Sequence, residues 1–80
     1  MPMREKELRF VVTFHTTAEA MATEKLCREM AIEGKLISAP RSLSADCGIA
    51  WSSPAELSGR VKEAVEAAGI ETQGFHEVMV

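Results

Sequence analysis

The side chains of this sequence best suited to covalent chemistry gather in one polar segment, residues 40–48, which ends in the pair Cys47-Gly48. Arg41 stands six positions before the cysteine, and Ser42 and Ser44 lie between them. The thiolate is the nucleophilic form of cysteine. A guanidinium or the first turn of a helix favours it, whereas an adjacent carboxylate such as Asp46 opposes it. The two hydroxyls and the planar cation of Arg41 suit an oxyanion or a polarised sulfur species. Serines are equally common as plain turn residues, and Gly48 fits either a close backbone approach or a bulge. A cysteine in a small domain is, taken alone, more often a small buried hydrophobe than a reactive group.

Cys27 belongs to a different setting. About ten helical residues, or roughly 15 Å, separate it from the start of its predicted helix, too far for a disulfide to Cys47. It reads as packing. His15, His76 and Cys47 would make a conceivable three-ligand metal set, but their spacing is not diagnostic, and neither a metal nor a cofactor is expected. A general-base role is the other reading of His15. Trp51 reads as a core or dimer-contact residue rather than a stacking platform.

The elements that must position the segment follow from periodicity. Leu8, Phe10, Val12 and Phe14 alternate with Arg9, Val11 and Thr13, as in a strand with one buried face. Thr16 and Glu19 form a capping box, and Ala22, Leu26 and Met30 mark a helical stripe that stops at Gly34. A short strand is predicted over 35–39 and another over 47–52, with Cys47, Ile49 and Trp51 on one face. Ser53, Pro54 and Glu56 are read as N-cap, N1 and N3 of a second helix. Its stripe is Leu57, Val61, Ala64, Val65 and Ala68, and Gly69 ends it. A last strand covers 74–80, with an ambiguous buried side. The order βαββαβ predicts an α+β, ferredoxin-like split βαβ fold, a four-stranded antiparallel sheet with two helices on one face. Leu8, Phe10, Val12, Phe14, Leu26, Met30, Leu57, Val61 and Val65 are the expected core. In that topology the end of the first strand, the start of the first helix and the loop with Cys47 share a rim. The start of the last strand, with His76, comes beside His15.

The chain has 80 residues, which fits one domain with residues 1–7 as a flexible lead-in. So small a core leaves a homodimer open. A formal charge of −3 with scattered basic residues argues against nucleic acid. With no apolar run of spanning length and no secretory h-region, no membrane association is expected, and the cytoplasm is the expected compartment.

The segments Thr13-Phe14-His15-Thr16-Thr17, Glu24-Lys25 through Gly34, and Pro40-Arg41-Ser42, Ser44, Cys47-Gly48-Ile49-Ala50 resemble the selenium/sulfur carrier protein-like family over nearly the whole chain. The most specific part is the pattern PRS-x-S-x-x-CG-x-A. Asp46 and Trp51 depart from it, standing where the family has small and aliphatic residues. The resemblance implies that Cys47 carries sulfur or selenium, and Arg41, Ser42, Ser44, Gly48, Thr16, Thr17 and His15 are the residues expected around the cargo. It implies a carrier rather than a catalyst, served by donor and acceptor proteins. The alternative is a regulatory or adaptor module that binds a small anion or a protein at the Arg41 loop without covalent chemistry. Replacing Cys47 by serine would spare the second activity and abolish the first. An RNA-recognition domain is disfavoured by the buried Phe10 and Phe14, and a metal chaperone by the missing Cys-x-x-Cys.

Overall fold

Alternation in the first apolar run does produce a strand, β1 (Leu8–Thr13), at the centre of the sheet. The computed structural model describes residues 7–43 and 45–79. The candidate Ser44, residues 1–6 of the expected lead-in and Val80 lie outside the described residues. The elements that follow are α1 (Thr17–Glu29), β2 (Lys35–Ser38), β3 (Ile49–Pro54), α2 (Ser58–Ala68) and β4 (Gly74–Met79). Short 3₁₀ turns at Arg41–Leu43 and Ala55–Leu57 precede β3 and α2. The strand order is β2-β3-β1-β4 and each neighbouring pair is antiparallel. This is the split βαβ arrangement, with the two helices packed together over the sheet.

Register assigns the faces, because residues directly opposite one another lie on the same side of a sheet. Val12 pairs with Trp51 and Phe75, and Trp51 in turn pairs with Leu36. Phe10, Val12, Phe14, Trp51, Val61 and Ala64 bury together beneath the helices with Ala20, Cys27 and Ile32. A fully buried side chain of the size of Phe14 contributes about 1.5–3 kcal/mol relative to leaving it exposed. Leu57 and Leu26 are half-buried at the margin of this core, and Val65 is buried. Leu8 departs from expectation: it pairs with Met79 at the far end of the sheet, and both stay exposed. In β4, Phe75 stacks on Phe10 with centroids 5.6 Å apart, and Lys62 Nζ lies over both rings. Phe75, Glu77 and Met79 thus face the helix layer, yet they are the exposed residues of β4, and His76 and Val78 on the other face are half-buried.

The apolar stripe of α1 is rotated from the predicted one. Ala20, Thr23 and Cys27 are the buried residues, whereas Ala22 and Met30 are exposed. At about 100° per residue Ala22 falls well off this line. Thr23 can sit inside because its hydroxyl donates to Glu19 O at 3.0 Å. The helix also stops earlier than Gly34. Ala31 takes a left-handed φ of 57°, Ile32 N–H donates to Cys27 O at 2.8 Å and Ala31 N–H to Arg28 O at 3.2 Å. This is a Schellman ending built on alanine, with Ile32 and Cys27 as its apolar contact. Ser53 does not cap α2. Its hydroxyl accepts from Trp51 Nε1 at 2.7 Å and donates to Glu33 O at 2.8 Å, a buried relay that a pattern of local spacing does not reveal. Gly69 does end α2, with φ of 71°.

Candidate functional site

The loop with Cys47 hangs from the β2–β3 ladder by one further bond, Ala39 N–H to Gly48 O at 2.9 Å. Inside it, Leu43 N–H donates to Pro40 O at 2.9 Å and Gly48 N–H to Ala45 O at 3.2 Å. The second bond closes a β-turn in which Asp46 and Cys47 are the central residues. Cys47 is therefore in a turn before β3, not the first residue of that strand as predicted. Gly48 has φ of 75°, and a Cβ there would meet nothing within 4 Å. Glycine is needed for backbone conformation, not for a close approach.

Cys47 is half-buried, packs against the margin of the core, and its Sγ donates to Ile49 O at 3.2 Å. Cys27 is fully buried, and burial pushes its thiol up from its ordinary range. Both are free thiols. Arg41 and Ser42 are exposed on the 3₁₀ turn at the other limb of the same loop.

The predicted convergence at the rim is present, through a contact the sequence reading did not contain. His15, just past β1, places Nδ1 2.9 Å from Asp46 Oδ2. His15 adjoins the α1 N-cap and Asp46 adjoins Cys47, so this pair joins the helix start to the thiol turn. Thr16 is the N-cap. Its Oγ1 accepts Glu19 N–H at 3.2 Å, and Glu19 Oε1 accepts the N–H groups of Thr16 and His15. The capping box is thus as predicted, and Glu19 occupies the place where a bound anion would approach Thr16. Thr17 is exposed in the first turn. Gln73, which the sequence reading passed over, accepts Asp46 N–H at 2.9 Å and donates its own N–H to Thr13 O at 2.7 Å. Only its position just before β4 hints at this.

His76 does come beside the end of β1 but turns to Thr13, with Nε2 3.3 Å from Thr13 Oγ1, and not to His15. No group of three or more His, Cys, Asp or Glu residues fit for a metal forms among the described residues. A shallow cleft of about 430 Å³, lined by Glu24, Arg28, Ile32, Gly34, Lys35 and Trp51, opens at the start of β2, the end of the strand away from the loop. It shares no residue with the thiol turn. Among the described residues, no helix is long and apolar enough to cross a membrane.

The hydrogen bond to Asp46 raises His15 above its ordinary 6.5; desolvation opposes it, and the charges of Asp46, Glu19 and Glu71 add to the rise. Both side chains are exposed, so the pair is open to screening. A pKa raised by folding gives stability that is complete below the unfolded value and is lost as pH climbs through the folded one. An NMR titration of His15 is expected to give a midpoint above 6.5 that falls toward it in Asp46→Asn. A midpoint indifferent to that substitution would separate the two residues in solution.

Fold and loop together define an α+β domain of ferredoxin-like topology that presents a half-buried thiol in a tight turn at one rim of its sheet. A family model described as "Putative Se/S carrier protein-like" matches residues 9–77, and the chain belongs to that family. No curated protein and no solved structure matches it.

Proposed function

We propose that Cys47 holds sulfur or selenium covalently and hands it to a partner. The observation that carries this reading is the pairing of membership in the Se/S carrier family with a single accessible thiol, the other cysteine being sealed in the core. In loading, the Cys47 thiolate attacks the terminal sulfur of a donor persulfide. A bond from Sγ to that sulfur forms, the donor's own S–S bond breaks, and its electron pair leaves on the donor thiolate. The proton released from Cys47 goes to solvent or to that leaving group. Selenium follows the same course in place of the terminal sulfur. Unloading reverses it: a nucleophile on the acceptor attacks the carried atom and Cys47 departs as thiolate. No resolving cysteine is needed, and buried Cys27 is not placed to act as one.

Arg41, Ser42 and Ser44 on the loop, with Thr17 and His15 across the rim, are the groups we assign to the charged adduct and its donor; Thr16 is committed to the cap of α1, and Gly48 sets the backbone of the turn. Arg41 suits the persulfide anion as a cation with several donors. Incubation with a cysteine desulfurase or selenocysteine lyase and its substrate, followed by intact-mass measurement and peptide mapping, tests the reading. One added sulfur or selenium atom is expected on the Cys47 peptide and none in Cys47→Ser. An adduct on Cys27, or none on either, would refute it.

A further inference from the structure

Two independent hydrogen bonds converge on Asp46, the residue before the thiol. Its carboxylate takes His15 Nδ1 at 2.9 Å, and its main-chain N–H reaches Gln73 Oε1 at 2.9 Å. Gln73 is tied in turn to Thr13 O, so both routes lead back to the end of β1. An ionised carboxylate only accepts, so Nδ1 carries a proton in either charge state of the ring, and protonation of the other nitrogen adds charge assistance. The turn held in this way keeps the Cys47 sulfur half-buried, with its S–H directed at Ile49 O. That bond is made by the neutral thiol; a thiolate would face the lone pairs of the same carbonyl. Ionisation therefore gives up this bond, and the thiolate favours a position turned away from the carbonyl.

We propose that Asp46 is a positioning residue that clamps the Cys47 turn in a resting position through His15 and Gln73, and that loosening the clamp presents the thiol. The clamp rests on the carrier reading only for the nature of the incoming electrophile. Glu19 at the start of α1 and Glu71 before β4 also face His15 and reinforce Asp46. The clamp is tightest while His15 is protonated and slackens as pH rises through its titration.

Alkylation of Cys47 by iodoacetamide, followed by peptide-resolved mass spectrometry so that Cys27 is read separately, distinguishes the clamp from a purely electrostatic role. It also needs no sulfur transfer, so it can fail or succeed whatever the adduct experiment shows. At about pH 6 we expect His15→Gln and Asp46→Ala to label about two- to five-fold faster than the native chain, the scale of an exposed ion pair. The gap should narrow with rising pH. Asp46→Asn, which retains a carbonyl acceptor for His15, should fall between. His15→Gln is the deciding variant: removing a cation near the thiol would slow labelling if charge alone mattered, whereas releasing a clamp speeds it. All three substitutions are at exposed positions, and circular dichroism checks the fold of each. Slower or unchanged labelling in His15→Gln, or Asp46→Asn labelling as fast as Asp46→Ala, would overturn the proposal.

Discussion

Iodoacetamide should alkylate Cys47 at least about a thousand-fold faster than Cys27 in the native protein. Cys27 has no accessible surface, so its reaction requires an opening of the fold. A domain of 80 residues at about 0.05–0.15 kcal/mol per residue is stable by roughly 4–12 kcal/mol. The lower figure alone holds the open population near one in a thousand, since about 1.4 kcal/mol is a factor of ten. Partial openings are cheaper than global ones at frayed ends. Cys27 is not at such an end in the energetic sense: it packs with Phe14 and Ile32 in the core, and its carbonyl accepts the Ile32 N–H that closes the helix. Its thiol is further disfavoured as thiolate by burial. Timed labelling and peptide mapping read both rates, and the difference should vanish in urea. Comparable native rates would mean that the core around Cys27 opens easily, and would remove the selectivity on which the carrier assignment leans.

Gly34→Ala should strongly destabilise the fold. A Cβ at this position would stand 2.4 Å from Trp51 Cζ2, 2.6 Å from Ser52 O and 2.7 Å from Ser53 Oγ. None of these is the loose end of a flexible side chain. Trp51 is packed in the core, Ser52 O belongs to β3, and Ser53 Oγ is bonded to both Trp51 Nε1 and Glu33 O. Accommodation must move β2 away from β3 or break the relay. Overpacking of this kind costs about 1–3 kcal/mol and occasionally more. At about 4–8 °C per kcal/mol for a domain of this size, a fall in Tm of about 4–24 °C is expected in a thermal melt. A loss below about 2 °C would show that the two strands yield easily at this point. Labelling of Cys47 in the folded fraction should be little changed, because Gly34 lies at the other end of β2 from the thiol loop.

Periodicity made the architecture legible because it reflects local geometry. Phe10, Val12 and Phe14 alternate since a strand has a period of two, and the capping box of Thr16 and Glu19 is made within one helical turn. The same holds for Gly69, whose left-handed conformation is a demand of the chain itself. Cys47 stood out for its residue type and its place in a family pattern, and both can be read without coordinates.

The partners of those residues were another matter. Asp46 could be weighed only against its neighbour Cys47, because the sequence does not show His15, which lies 31 positions away. Ser53 looked like a helix cap because the spacing to Glu56 suits one, yet tertiary packing offered its hydroxyl Trp51 and Glu33 instead. Thr23 is polar and had no place in the predicted stripe, but its hydroxyl is satisfied inside the helix and the position can be buried. Gly34 looked like a helix stop, whereas its absent side chain makes room for Trp51. The elements, their order and the candidate thiol were legible in advance, because these depend on local periodicity and residue chemistry. What each polar group bonds to was settled in folding, because a hydrogen bond is the outcome of competition among every donor and acceptor brought within about 3 Å.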